Sequence, residues 1–155
     1  MKSLKIEPYS GIVEAEAGVM LPTLSNALAK NGLQGGEWAV GIPGTLGGAI
    51  YMNAGTGDIS LAKNLISVKV IDNKTNEEFE IEKKDINFEY RFSSFQRNDL
   101  TIISARLHFE PNGNLEQLIQ TTKNNLKLKT ETQPYHLPSF GSVFKNPENN
   151  YAAKL

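Results

Sequence analysis

Apolar and polar residues alternate in four stretches of the chain, and this two-residue period is typical of half-buried strands. The first stretch covers residues 12–17. Two more, around 66–70 and 79–81, flank the turn-forming residues 72–76 and predict a β-hairpin. The fourth covers 101–109 and places its apolar side chains on one face. The pattern therefore predicts strands in four places, two of them paired as a hairpin.

Apolar residues at helical spacing predict two helices. The first runs over about 22–31, with Pro22 suited to its first turn and Gly32 to the left-handed position after its last. The second follows Asn114, which suits an N-cap. Its apolar stripe is Leu115, Leu118, Ile119, Thr122 and Leu126. Strands before and after helices, with a hairpin between them, indicate a mixed α+β domain.

Length and charge narrow the class of protein. The 155 residues suit one compact core of ordinary size plus appendages. With 16 Lys and Arg against 17 Asp and Glu, the formal charge is -1, so we expect no nucleic-acid partner and no binding to an acidic membrane. No stretch approaches the roughly 20 apolar residues of a membrane span, and the N-terminus does not resemble a secretory signal. We therefore expect a soluble, cytoplasmic protein.

Few residues are available as metal ligands. The chain has no cysteine and only two histidines, His108 and His136. This excludes disulfides, thiolate catalysis and zinc–thiolate sites, and we expect no metal site. The alternation over 101–109 places His108 on the polar side of its strand, and His136 is interpreted as a loop residue.

Residues 35–57 contain eight of the thirteen glycines, which is the one marked shift in composition. The glycine spacing matches neither a P-loop nor the G-x-G-x-x-G of a Rossmann unit. Glycines let backbone N–H groups approach a bound anion, and a helix beginning near Thr45 is expected to add unpaired amides that favour a pyrophosphate. By composition alone, close packing between a turn and a helix explains the glycines at least as well.

The order of residues in 37–49 and 52–55 resembles the flavin-cradling segment of the UDP-N-acetylenolpyruvoylglucosamine reductase family. That family has a vanillyl-alcohol-oxidase-like (PCMH-type) fold, and the segment belongs to its second FAD-binding subdomain. The resemblance implies FAD-binding roles for eight residues. They are Gly41, Ile42, Pro43, Gly44, Thr45, Gly47, Gly48 and Asn53. Residues 56–58 depart from the family pattern.

Residues 88–95 contain four aromatic residues, Phe88, Tyr90, Phe92 and Phe95, around Arg91. Taken alone, a lone arginine is usually a surface ion-pair residue. The segment resembles the family's Tyr-Arg-x-Ser-x-Phe motif, which implies that Arg91 binds and polarises the enolpyruvyl carboxylate and that Tyr90 helps to bind substrate. Hydride addition to an enol ether builds negative charge beside that carboxylate, and a fixed guanidinium stabilises it.

Residues 141–147 form a second candidate motif, Gly-Ser-Val-Phe-Lys-Asn-Pro. An isolated Gly-Ser pair is usually a turn in which the hydroxyl bonds its own backbone. The resemblance implies instead that Ser142 donates the proton that follows hydride transfer, and that Lys145 and Asn146 bind the substrate diphosphate. Phe140 departs from the small residue that the family usually has before the glycine.

The resemblance implies a flavoenzyme that uses FAD and NADPH to reduce a UDP-sugar, UDP-N-acetylenolpyruvoylglucosamine, to UDP-N-acetylmuramate for peptidoglycan synthesis. It divides the chain into 1–131, the second flavin subdomain, and 132–155, the start of a substrate-binding domain. Relative to the family the chain looks truncated at both ends, and a complete protein is expected to be monomeric. A non-catalytic flavin-binding fragment or incomplete gene product is the alternative. A different oxidase of the same superfamily fits the two motifs less well.

Overall fold

Strands and helices alternate along the part of the chain that the computed structural model describes, which is residues 1–133, 137–138 and 142–155. In chain order the strands are β1 (Leu4–Glu7), β2 (Ile12–Glu16), β3 (Gly55–Thr56), β4 (Ile59–Ser60), β5 (Leu65–Asp72), β6 (Glu78–Glu82), β7 (Phe88–Glu89), β8 (Phe92–Ser93) and β9 (Leu100–His108). The α-helices are α1 (Leu21–Lys30), α2 (Leu46–Tyr51) and α3 (Leu115–Thr132). Short 3-10 helices lie at Glu37–Gly41, Leu61–Lys63, Lys83–Asp85, Ser94–Arg97 and Ala152–Lys154.

Five of the strands form one antiparallel sheet in the order β1-β2-β9-β5-β6. The central strand is β9, which pairs with β2 so that Val13 lies opposite Leu107 and Ala15 opposite Ala105. On the other side of β9, Val68 of β5 also lies opposite Ala105. Residues two apart along a strand point to the same face, so these apolar side chains line one face of the sheet.

Helix α1 and its neighbours cover that apolar face. Leu21, Leu24 and Leu28 of α1 are each 1% exposed, and they belong to the same core cluster as the sheet residues. Each buried leucine contributes about 1.5–3 kcal/mol relative to an exposed one, so this stripe explains why α1 packs on the sheet. Pro22 occupies the first turn of the helix, where its missing N–H has no helical partner to lose.

The structure confirms the elements that the pattern predicts. The alternating stretches correspond to β2, the β5–β6 hairpin and β9, and the leucine spacing corresponds to α1. Gly32 has a φ of 71°, as expected of a residue just after a helix. Asn114 caps α3, because its side-chain oxygen accepts a hydrogen bond from Gln117 N at 2.9 Å. His108 is exposed on the polar side of β9, as expected.

Five short strands were not predicted, namely β1 and the two-residue strands β3, β4, β7 and β8, which are too short to show an alternation. The edge strand β1 is also paired on one side only. Helix α3 ends at Thr132, where the Pro-containing residues 132–138 predict a link between domains. Within this link, residues 134–136, which include His136, lie outside the described residues. The division at residue 131 therefore stays a prediction. Within the described ranges, no helix combines the length and the apolar character needed to cross a membrane.

Candidate functional site

The glycine segment connects the 3-10 helix Glu37–Gly41 to α2 and runs beside the chain that leads from β2 to α1. Thr45 is bridged to Met20 in an antiparallel arrangement, and Leu21 N donates to Gly44 O at 2.9 Å. Thr45 is also the N-cap of α2, since its hydroxyl accepts a hydrogen bond from Gly48 N at 3.3 Å. The segment is therefore held in place by backbone contacts at the helix entrance.

The first amides of α2 are paired, which corrects the expectation that they are free to bind an anion. Leu46 N donates to Val19 O at 2.8 Å, and Gly47 N donates to Ala17 O at 2.9 Å. The third amide is engaged by the capping hydroxyl. Because protein oxygens already satisfy these donors, α2 offers no ready anion site at its N-terminus.

Two of the candidate glycines have a packing role. A Cβ added at Gly47 would lie 2.9 Å from the Cβ of Ala17, and one added at Gly41 would lie 2.6 Å from Cδ of Lys129. Neither glycine has a left-handed φ. The packing interpretation of the glycines is therefore correct for these two positions, whatever else they contact.

Gly44 and Gly48 have no such explanation. A Cβ added at Gly44 would meet nothing within 4 Å, and one added at Gly48 would meet only the Thr45 hydroxyl, at an ordinary 3.6 Å. Their φ angles are also not left-handed, so the fold requires glycine at neither position. The backbone is exposed at these two points and leaves room for the close approach of a ligand.

A largely apolar, open cavity of about 380 Å³ lies beside the start of α2. Gly47 and Gly48 line it together with Tyr51, Met52, Leu100 and Ile102. Tyr51 and Met52 are about 40% exposed, which is high for large apolar residues that a fold would otherwise bury. The cavity has the apolar lining that suits an aromatic ring.

Arg91 lies at the tip of the hairpin formed by β7 and β8, as the second residue of a two-residue loop. Its φ is 52°, in the left-handed region that residues other than glycine seldom adopt. Its Nη2 donates to Gly55 O at 2.8 Å, and its guanidinium carbon lies 5.0 Å from the ring centroid of Tyr90. Arg91 forms no ion pair within the described part of the chain. The structure therefore places Arg91 against the end of the glycine segment, and it does not support the surface ion-pair interpretation.

A hydrogen-bond network ties the Arg91 hairpin to the end of α2. Ser93 Oγ and Gln96 Nε2 both donate to Tyr51 O, at 2.7 Å and 2.9 Å. Asn53 Nδ2 donates to Glu89 O at 2.9 Å. We call Ser93, Gln96 and Asn53 the hairpin anchor. Sequence reasoning missed the anchoring role of Ser93 and Gln96, although the serine of the Tyr-Arg-x-Ser-x-Phe motif was a signal.

Asn53 combines an anchoring role with an unused acceptor. It is 7% exposed and has a φ of 44°. Its Oδ1 is buried and has no hydrogen-bond partner among the described residues. Buried polar atoms are nearly always paired, so an unpaired one indicates a missing donor such as a ligand group.

The second motif, residues 142–146, is exposed in the structure. Ser142 and Lys145 are exposed, and Asn146 Oδ1 accepts a hydrogen bond from Ala152 N at 3.1 Å. No hydrogen bond, ion pair or ring contact in the described ranges joins any of these three residues to Arg91. Gly141 and Phe140 lie outside the described residues. The structure thus brings Arg91, Tyr90 and the glycine segment together, and it leaves the role of residues 142–146 as a prediction.

Comparison with known proteins identifies the class to which this fold and site belong. Residues 1–79 match the family described as FAD binding domain, and the chain belongs to that family. The predicted α+β class is confirmed by the mixture of helices and antiparallel sheet, and the predicted flavin-domain fold by this match and by a solved structure. That structure is a UDP-N-acetylenolpyruvylglucosamine reductase from Thermus caldophilus, which is 29% identical with a TM-score of 0.79 over 91% of this chain and 51% of that one.

Curated relatives carry the same reductase name. The UDP-N-acetylenolpyruvoylglucosamine reductase of Prochlorococcus marinus subsp. pastoris (strain CCMP1986 / NIES-2087 / MED4) is 74% identical over all 155 residues. That of Synechococcus sp. (strain RCC307) is 42% identical over the same length. The chain covers 52% and 51% of these two proteins. It therefore spans about half the length of the curated relatives it matches.

The residues present fit FAD on three observations from the structure. At Gly44 and Gly48, neither the backbone conformation nor a neighbouring atom requires glycine, and the backbone is accessible to a ligand. The neighbouring cavity has an apolar lining, and Asn53, which directly follows the lining residue Met52, has a buried Oδ1 without a hydrogen-bond partner among the described residues. The aromatic rings of a flavin nucleotide suit the apolar cavity, and its N–H and hydroxyl groups can donate a hydrogen bond to Asn53 Oδ1.

Proposed function

We propose that this chain is the central half of a UDP-N-acetylenolpyruvoylglucosamine reductase, acting in peptidoglycan precursor synthesis. FAD, when bound, carries a hydride from NADPH to the enolpyruvyl double bond of the UDP-sugar, and a proton completes the saturated lactyl ether of UDP-N-acetylmuramate. The observation that carries this proposal is the position of Arg91, fixed against Gly55 at the end of the glycine segment. The match of all 155 residues to about half of each of two reductases supports it.

Arg91 has the chemistry to bind the enolpyruvyl carboxylate. A guanidinium offers two parallel N–H donors that match a carboxylate, and in a water-poor site this pairing stabilises charge that develops beside it. The strained left-handed backbone at Arg91 supports a functional role, since such conformations cost about 1–3 kcal/mol and persist where the surroundings enforce them. Tyr90, beneath the guanidinium, is proposed to border the substrate.

Ser142 is proposed to donate the proton, with Lys145 and Asn146 binding the substrate diphosphate. A serine hydroxyl is a weak acid, so this role requires close positioning against a strongly basic carbanion. Within the described ranges Ser142 is exposed and makes no hydrogen bond, which leaves its hydroxyl available to a substrate.

The remaining features of the proposal concern the whole protein. Residues 1–131 form the second flavin subdomain and 132–155 begin the substrate-binding domain, a division supported by the end of α3 at Thr132. The complete enzyme is proposed to use NADPH, to act in the cytoplasm and to be monomeric. The fact that the chain spans half of its relatives favours one alternative, a flavin-binding fragment or incomplete gene product without catalytic activity.

A chimera tests the function directly. The matching half of the Prochlorococcus marinus relative would be replaced by this chain, and NADPH oxidation would be measured with and without UDP-N-acetylenolpyruvoylglucosamine. We expect substrate-dependent turnover. An Arg91→Met chimera should lose most of this turnover, because the methionine keeps the apolar stem and removes the guanidinium. A folded, FAD-loaded chimera without turnover would favour the non-catalytic alternative.

The same chimera separates the two half-reactions for Ser142. A Ser142→Ala chimera should still take up hydride from NADPH at the parent rate, because this step needs no proton on the substrate. Oxidation by the enolpyruvyl substrate should slow by about 100-fold to 10,000-fold, the usual contribution of general-acid catalysis. Stopped-flow flavin absorbance resolves the steps, and oxidation by substrate at the parent rate would leave Ser142 as a turn residue.

A further inference from the structure

Lys129, in the last turn of α3, lies along the beginning of the glycine segment. Helix α3 packs against the 3-10 helix Glu37–Gly41. A Cβ added at Gly41 would lie 2.6 Å from Cδ and 3.4 Å from both Cβ and Cγ of Lys129. The aliphatic stem of the lysine therefore occupies the space that any side chain at position 41 would need. The glycine at position 41 is therefore associated with the packing of Lys129 and not with a left-handed turn conformation.

The ammonium group of Lys129 is partly buried and has no counter-ion among the residues that the structure describes. No carboxylate in the described part of the chain forms an ion pair or hydrogen bond with it. Glu37, the acid in the contacting 3-10 helix, is engaged by Gly35 N at 3.1 Å and 3.0 Å. Burial lowers the pKa of Lys129, as expected for a cation that has lost water without gaining an anion. Lys127, two residues earlier in α3, is exposed, and its Nζ lies 3.8 Å from Oε1 of Glu131.

A simpler explanation accounts for only part of this arrangement. A lysine in the last turn of a helix interacts favourably with the helix dipole, and Lys129 benefits from this effect. An exposed lysine gains the same benefit, however, without losing water. The dipole therefore does not explain why the stem crosses Gly41, or why a partly desolvated cation is kept beside the glycine segment.

We infer that Lys129 is the cation that neutralises the diphosphate of FAD on the glycine segment, and that Gly41 acts by giving the lysine stem its path. The inference rests on the proposed function, because it assumes that the segment binds FAD. It also changes the role of Gly41 from a direct cofactor contact to a positioning residue. The paired amides of α2 support it, since the diphosphate must find its positive charge elsewhere.

The test uses the 155-residue chain and measures affinity by ¹⁵N NMR titration, which detects weak binding. The three probes are FAD, riboflavin and inorganic pyrophosphate. Lys129→Met keeps the stem and removes the charge, and it should weaken FAD and pyrophosphate binding by about 10-fold to 100-fold. Riboflavin binding should be unchanged, because riboflavin has no phosphate. Lys129→Arg should retain FAD binding, and Lys127→Met is the matched control that should change nothing.

Gly41→Ala provides an independent variant. It should displace the lysine stem and weaken FAD binding, and in the Lys129→Met background it should have little further effect, because the two residues act as one unit. The thermal midpoint of Lys129→Met should not fall, since the neutral side chain avoids the desolvation cost of the ammonium. Binding losses would then not be due to misfolding.

Each outcome has a defined meaning. FAD and pyrophosphate binding that depend on Lys129 but not on Lys127 support the inference. Equal FAD affinity in the parent and in Lys129→Met overturns it and leaves the proposed function standing. Absence of any response to FAD and riboflavin overturns the proposed flavin binding. If pyrophosphate alone then gives a Lys129-dependent response, Lys129 belongs to a simple anion site and the inferred FAD diphosphate site is overturned. Absence of all three responses overturns both.

Discussion

At the scale of single residues, the glycines of the segment differ in what they do. A side chain at Gly47 would meet Ala17 and one at Gly41 would meet the stem of Lys129, whereas Gly44 and Gly48 have no such close neighbour. A bulky substitution at Gly47 therefore clashes with Ala17 before it meets any ligand, and a loss of flavin affinity there would not distinguish packing from binding. Gly48 is the better probe, because its surroundings tolerate a methyl group.

Gly48→Ala should leave the fold intact and weaken FAD binding. The added Cβ would meet only Thr45 Oγ1 at 3.6 Å, and alanine in a helix is favoured over glycine by about 0.5–1 kcal/mol. We expect an unchanged or higher thermal midpoint together with reduced FAD affinity by flavin fluorescence titration. Gly47→Ala is the matched control and should lower the midpoint. Parent-like FAD affinity in a stable Gly48→Ala chain would show that this glycine does not contact the flavin.

At the scale of elements, the hairpin anchor explains how two distant segments form one site. The β7–β8 hairpin is separated from α2 along the chain by strands β3 to β6, yet Ser93, Gln96 and Asn53 connect the two segments through three hydrogen bonds. Both Ser93 and Gln96 satisfy the carbonyl of Tyr51, which the end of α2 leaves without a helical partner. The anchor thereby holds Arg91 against the glycine segment.

Removal of both donors to Tyr51 O should cost more than the sum of the two single removals. Ser93→Ala alone leaves the Gln96 donor in place, so we expect a loss of about 1 kcal/mol in the free energy of unfolding, and a similar loss for Gln96→Ala. The double variant leaves the carbonyl without either donor and should lose about 1 kcal/mol beyond additivity. Urea unfolding of the parent, the two single variants and the double variant completes this double-mutant cycle. Strict additivity would mean that the two donors do not share one acceptor in solution.

At the scale of the whole molecule, we expect this chain to contain only part of the proposed FAD site. The glycine segment, the apolar cavity and Arg91 lie on this chain, and the chain spans about half of each relative. The purified 155-residue chain should therefore bind FAD too weakly to retain it during gel filtration, because part of the cofactor's contacts would come from elsewhere in a complete reductase. Absorbance after gel filtration measures this. Protein that remains yellow with stoichiometric flavin would contradict the expectation and show that this chain alone is sufficient to hold FAD.

Local sequence determined the elements whose pattern is strong within a short window. The alternation of 101–109 predicted β9, the leucine spacing predicted α1, and Asn114 predicted the start of α3, because burial of one face and capping of a helix end are decided by neighbouring residues. The order of residues around the glycines and around Arg91 also carried enough information to indicate the family by resemblance.

Tertiary structure decided what these residues touch. The strand order places β9, the last strand of the described residues, at the centre of the sheet, and no local pattern encodes that pairing. The amides of α2 were expected to be free but are paired with Val19 and Ala17, which lie more than 25 residues earlier in the chain. Gly41 lies against the stem of Lys129, which is 88 residues later in the chain. Such contacts join residues distant in sequence, so only the packed chain reveals which glycines serve the fold and which leave space for a ligand.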